Sequence, residues 1–203
     1  MKKLFILLVL LCSVAVSNAQ EKETENRSKT TLFEQSIGSL IRNESYALPK
    51  VGSVEMNVQI LTDIFTGTKI GCLRMETKFH YDDGVDQFFA GYIDFEELDA
   101  AIKSLSYIKE TILHTTPDVY TEFSFKSKDG VQLGTYFNEK TQKWVVFIGA
   151  TPYTSESKVL CYGPRWGDCG EYSGAQINCD VTQLSRIIEI MKRAKNKIQE
   201  LTK

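Results

Sequence analysis

The chain has 203 residues, a formal net charge of −2 at pH 7 and a hydrophobic share of 42% against 25% charged. That balance suits one globular domain with a real core and excludes a low-complexity disordered chain. The slight acidic excess also excludes the basic surface that nucleic-acid binding requires, so no nucleic-acid partner is expected.

Lys2 and Lys3 precede an apolar run from Leu4 to Leu11, and Ser17-Asn18-Ala19 offers small residues for cleavage before Gln20. This is the pattern of a secretory signal over residues 1–19. Its apolar core is shorter than the roughly 20 residues a spanning helix needs. The expectation is export to the periplasm or the extracellular space after cleavage near Ala19, with no membrane span. Leu11 stands before Cys12 where a lipoprotein site wants a small residue, which speaks against a lipid anchor. Cleavage would take Lys2 and Lys3 away and leave a formal charge of −4. The four remaining cysteines, Cys72, Cys161, Cys169 and Cys179, form an even set for an oxidising compartment. Three pairings are open. Cys161 with Cys169 across a short Gly-rich loop, and Cys72 with Cys179, is the preferred one.

Residues 20–30 are charged and polar with no apolar period, which predicts a flexible tail ahead of a single domain over 31–203. Leu32, Phe33, Ser36, Ile37, Leu40 and Ile41 recur at helical spacing and predict a short amphipathic helix ending near Asn43. Val54, Met56, Val58 and Ile60 alternate with polar residues and predict a strand with one wet face. A turn at Thr66-Gly67-Thr68 leads to a second strand from Lys69 to Tyr81, and Gln87 to Ile93 reads as a third. Asp94 with Glu97 three positions on forms a capping-box pattern, followed by the stripe Leu98, Ala101, Ile102, Leu105, Ile108 and Ile112 of a helix that stops before Pro117.

Next come two alternating segments, Val119 to Lys126 and Val131 to Phe137, around Asp129-Gly130. They predict a hairpin with Val119, Thr121, Phe123 and Phe125 sharing a core face with Val131, Leu133 and Phe137. Trp144 to Ile148 has no polar face and should lie centrally in the sheet. Residues 150–179 are irregular, with short strands near Lys158–Tyr162 and Ala175–Cys179. A closing helix from Asp180 or Thr182 carries Leu184, Ile187, Ile188, Met191, Ile198 and Leu201 on one side and a basic C-terminal end. The order predicts an α+β domain: a single curved antiparallel sheet of two meanders with two or three helices packed on one face.

Functional signals are sparse. Asp82, Asp83 and Asp86 around Gly84 have oxygens for a hard cation but lack the rest of a calcium loop, so an ordinary turn is the reading and no metal or cofactor is expected. Asp94, Glu96, Glu97 and Asp99 are explained by a helix N-terminus. His80 and His114 stand near element ends with no nucleophile beside either in sequence, and no catalytic residue is named. The loop from Cys161 to Tyr172 is the most distinctive, since Tyr162, Arg165, Trp166 and Tyr172 are residue types that recur at binding hot spots.

The run Tyr92-Ile93-Asp94-Phe95-Glu96-Glu97-Leu98 into Ala101-Ile102-Lys103-Ser104-Leu105, with the Thr121-Glu122-Phe123 strand, resembles small secreted or periplasmic proteins of Bacteroidota. The resemblance implies a periplasmic or surface setting and transfers no site residue. The function expected is an exported, non-catalytic domain that binds a partner protein, an envelope component or a small apolar ligand. Its contact surface would be an exposed sheet face or the loop from Cys161 to Tyr172. The alternatives are a secreted hydrolase with an Asp/His site and a purely structural assembly protein.

Overall fold

The computed structural model describes residues 27–80, 86–150 and 175–203. A short helix α1 (Lys29–Glu34) leads into strands β1 (Ile41–Ala47), β2 (Glu55–Asp63), β3 (Lys69–His80) and β4 (Asp86–Asp94). A 3₁₀ turn at Phe95–Glu97 opens helix α2 (Leu98–Glu110). After a second 3₁₀ turn at Ile112–His114 come β5 (Glu122–Lys126), β6 (Val131–Asn138), β7 (Lys143–Ala150) and β8 (Ala175–Cys179), then helix α3 (Gln183–Leu201).

The strands form two separate four-stranded antiparallel sheets, ordered β1-β2-β3-β4 and β5-β6-β7-β8. This corrects the expectation of one curved sheet. Among the described residues no strand of the first meander is hydrogen-bonded into the second, because α2 intervenes between β4 and β5 and carries the chain to a new layer. Each meander is followed by one long helix, so the pattern of four strands and a helix occurs twice, a repeat of structure that residue identities do not reveal.

The helices do not all pack on one face, as expected, and the packing is crossed. Helix α2, which follows the first sheet, lies against β5 and β6 of the second; α3, which follows the second, lies against β2 and β3 of the first, and the two helices touch. One continuous core results, in which Met56, Val58, Ile60, Leu73 and Ile93 join Leu105, Val131, Leu133, Val146, Ile148, Ile187, Met191 and Ile198. Gly71 on β3 lets α3 approach, since a Cβ there would come within 2.4 Å of Ile198 Cγ2. The short α1 packs against β2, β3 and β4. It touches the first sheet's other face, where it meets Asp94 and its register partner Cys72.

Locally the predicted patterns hold in several places. The Asp94–Glu97 capping box is present at the start of the 3₁₀ turn. The Asp129-Gly130 hairpin turns with Gly130 at φ 82°, a conformation that costs glycine nothing. β7 lies centrally, between β6 and β8. The span from Leu32 to Asn43 differs: only its first residues are helical, and Ile41 onward is strand β1. Helical spacing in a stretch holding Gly38 at φ 83° was not enough to propagate a helix. β5 is also shorter than predicted, starting at Glu122, and Val119 stands outside it with 67% of its surface exposed.

Candidate functional site

Two constellations stand out, one polar and buried, the other aromatic and exposed. The polar one forms where β4 runs into the 3₁₀ turn. Asp94 is 3% exposed, yet its charge is well satisfied. Its Oδ2 accepts from the Lys29 backbone N–H at 2.6 Å, and its Oδ1 accepts from the Thr30 N–H at 3.2 Å and the Thr30 hydroxyl at 2.6 Å. Glu97 reaches back to the Asp94 N–H at 3.0 Å and accepts from the Lys128 N–H at 2.8 Å with its other oxygen. Asp129, at the tip of the β5–β6 hairpin, accepts from the Thr31 hydroxyl at 2.9 Å and the Tyr92 N–H at 2.8 Å. Ser127 donates to the Tyr92 carbonyl at 2.9 Å. The second hairpin is thereby fastened to the edge of β4. Gly91 permits this, because a Cβ there would lie 2.6 Å from Val131 Cγ2.

Every carboxylate of this cluster is thus engaged by backbone or hydroxyl donors, and what the cluster does chemically is hold three segments together. Burial keeps the Asp129 carboxyl above its ordinary range, outweighing the hydrogen bonds from Tyr92 and Thr31, and the neighbouring charges of Asp94 and Glu34 push the same way. Burial likewise raises Glu97, against the bonds from Lys128 and Asp94. The Cys72 thiol is pushed up to about 12, chiefly by burial, so at neutral pH it is a thiol and not a nucleophilic thiolate. Glu96 touches Lys29 on the surface, and Asp99 ties α2 to Lys195 of α3 at 2.6 Å.

The raised carboxyls give a pH prediction with a definite sign. A folded-state pKa above the unfolded value means the native state holds the proton more tightly. The stability from Asp129 and Glu97 is therefore present below the ordinary carboxylate pKa and is lost as pH rises through the raised value. Thermal melting should accordingly show higher stability at mildly acidic pH than at neutrality. Asp129→Asn, which keeps an oxygen for Tyr92 N–H and an amide for the Thr31 hydroxyl, should flatten that part of the profile. An unchanged profile in the variant would remove Asp129 from the account.

The aromatic constellation borders β5, the end strand of the second sheet. On one face Tyr120 stacks on Tyr136 at 6.2 Å with 29° between planes, and Tyr136 lies 6.3 Å from Phe147. On the other, Phe123 lies 6.1 Å from Trp144, and Trp144 meets Phe137 edge-on at 5.3 Å. The indole N–H of Trp144 donates to the Thr115 carbonyl at 2.8 Å, fixing the ring. Tyr120 is 58% and Phe123 37% exposed. The Phe137 N–H donates to the Thr121 carbonyl at 2.9 Å in the β5–β6 register. By strand alternation the backbone groups of Glu122, Ser124 and Lys126 therefore point away from β6. An edge strand with outward hydrogen-bonding groups and aromatic rings on both faces is the geometry that receives an extended peptide.

Several predicted site residues fall elsewhere. Tyr162, Arg165, Trp166, Tyr172, Cys161 and Cys169 lie outside the described residues, as do Asp82 and Asp83. Cys72 and Cys179 are both free thiols, which overturns their proposed bridge: Cys72 lies buried opposite Asp94 on β3, and Cys179 sits on β8 of the other sheet. His114 is exposed, and among the described residues no carboxylate is hydrogen-bonded to its ring. Among those residues, too, no group of three or more His, Cys, Asp or Glu side chains is arranged to hold a metal ion. No described helix is long and apolar enough to cross a membrane. The role of Asp129 was missed because a turn aspartate is usually self-satisfying; its sequence gives no sign of the partners on Thr31 and Tyr92. Neither a protein-family model nor a curated protein matches the chain.

Proposed function

We propose that the protein is an exported, non-catalytic domain that binds an extended segment of a partner protein along β5. The observation that carries the reading is the exposure of Val119, Tyr120 and Phe123 beside an edge strand whose alternate backbone groups face outward. Tyrosine and tryptophan are the residues that supply most binding energy at such surfaces, and their neighbours Tyr136 and Trp144 hold them in place. The polar clusters point the same way: Asp94, Asp129 and Glu97 spend their oxygens on the protein's own backbone and hydroxyls, leaving no free base beside a nucleophile among the described residues. Export rests on the Lys2-Lys3, Leu4–Leu11 and Ser17-Asn18-Ala19 pattern of a signal.

The test is site-specific photo-crosslinking in cells that export the chain, with a benzophenone amino acid in place of Tyr120 and, as a control, of the exposed Lys103 on α2. A discrete protein adduct at position 120, absent at 103 and lost when Phe123→Ser is added, is the expected result. No adduct at 120 beyond that seen at 103 would overturn the reading.

A further inference from the structure

We propose that β1, the free edge of the first sheet, is a self-association surface on which a second copy of the chain pairs antiparallel about a two-fold axis at Asn43. This inference is independent of the reading of β5, which lies at the edge of the other sheet.

Among the described residues β1 is an end strand that pairs with β2 alone. Its even-numbered residues spend their backbone groups on β2, as the Ile64 N–H to Leu40 carbonyl bond at 2.9 Å and the Leu48 N–H to Met56 carbonyl bond at 2.9 Å fix at its two ends. By alternation, Ile41, Asn43, Ser45 and Ala47 present their N–H and C=O groups outward. An unpaired row of this kind templates another strand. Pairing with a second copy must match odd residues with odd ones, so the registers that keep most of β1 paired are centred on Asn43, Glu44 or Ser45.

Charge separates these three. Centred on Glu44, the pair sets Glu44 against its own copy. Centred on Ser45, Arg42 and Glu44 face Leu48 and Tyr46 and gain no opposite charge. Centred on Asn43, Arg42 of each copy faces Glu44 of the other, twice across the axis, and Leu40 faces Tyr46. These are non-hydrogen-bonded positions, where side chains lie closest and opposite charges or apolar partners contribute most. Leu40 is 55% exposed in the single chain, and its neighbour Ile64, just past the end of β2, is 46% exposed. Arg42 and Glu44 already touch each other along β1 at 3.3 Å while half in solvent, so exchanging that contact for the cross-strand one desolvates little new charge. The product is an eight-stranded sheet with both copies of α3 on the same face. The paired area is small, so the association is weak and concentration-dependent.

Sedimentation velocity on the exported chain, from micromolar to sub-millimolar concentration, tests this. The wild type should shift from monomer to dimer across that range. Arg42→Glu and Glu44→Arg should each be monomeric, because each puts like charges opposite in the self-pair. Mixed together they should form a dimer, since every 42–44 contact is then between opposite charges. The double variant Arg42→Glu/Glu44→Arg should self-associate like the wild type, because every 42–44 contact is again between opposite charges. Recovery in the mixture also shows that both single variants are folded. A wild type that stays monomeric throughout, single variants that dimerise as well as the wild type, or a mixture that stays monomeric would each overturn the proposal.

Discussion

Replacing Asp94 by alanine is expected to cost about 4 kcal/mol or more of folding stability, a large share of the roughly 5–15 kcal/mol that holds such a domain together. The carboxylate accepts three hydrogen bonds from Lys29 and Thr30 in a nearly dry position. Bonds to a charged group contribute about 1.5–3 kcal/mol each, and donors left buried without a partner add their own desolvation cost. Part of that is recovered when the α1 segment lifts into water, which is why the full sum is not expected. Urea unfolding should show a lowered midpoint. Amide exchange at Lys29, Thr30 and Thr31 should accelerate well before that of β2 and β3. A loss below about 1 kcal/mol would mean that the clasp is ornamental.

The second large effect is expected at Gly134→Ala, about 3 kcal/mol. A Cβ at this position on β6 would lie 2.2 Å from the Phe123 carbonyl oxygen, and 2.9 Å from both Ser124 Cα and Phe147 Cζ. Two of these neighbours are backbone atoms of β5, which can yield only if the β5–β6 pairing opens. Overpacking of this kind typically costs about 1–3 kcal/mol and more where the backbone must move. The variant therefore also tests the proposed binding edge: exchange protection of the paired Phe123 and Phe125 amides should collapse while the first sheet keeps its own. If Gly134→Ala is neutral, β5 does not lie as close to β6 as described.

Much of this fold was legible in residue spacing, and the parts that were not have physical reasons. The capping pair Asp94 and Glu97, the stripe of α2 and the alternation of β6 are local signals, and local signals suffice where one face meets a core. Val131, Leu133 and Phe137 are buried as their alternation predicts, whereas Phe123, which alternates just as well, is exposed because β5 is an edge, and Val119 is exposed because it precedes the strand. Alternation reports a periodicity and not which strand has a neighbour. The division into two sheets was invisible for the same reason: it depends on where α2 delivers the chain. Ser28 and Thr30 carry no apolar signal, yet both are buried. Thr30 is bonded to Asp94, more than sixty positions further along the chain, and Ser28 to Thr31 beside it. At the candidate site, the aromatic residues were visible individually, but Tyr120 and Tyr136 become a surface only once the hairpin register sets them side by side.

The crossed packing of the two helices makes the meanders one body, and a double-mutant cycle between Gly71 and Ile198 tests it most directly. Gly71→Ala alone should destabilise, because the added methyl meets Ile198 Cγ2 at 2.4 Å. Ile198→Ala alone should cost about 2 kcal/mol or more, through lost burial and the cavity left behind. In the double variant the two changes fill and vacate the same space, so the combined loss should fall short of the sum by more than about 1 kcal/mol. Strict additivity would place α3 away from β3 and contradict the arrangement on which the rest is built.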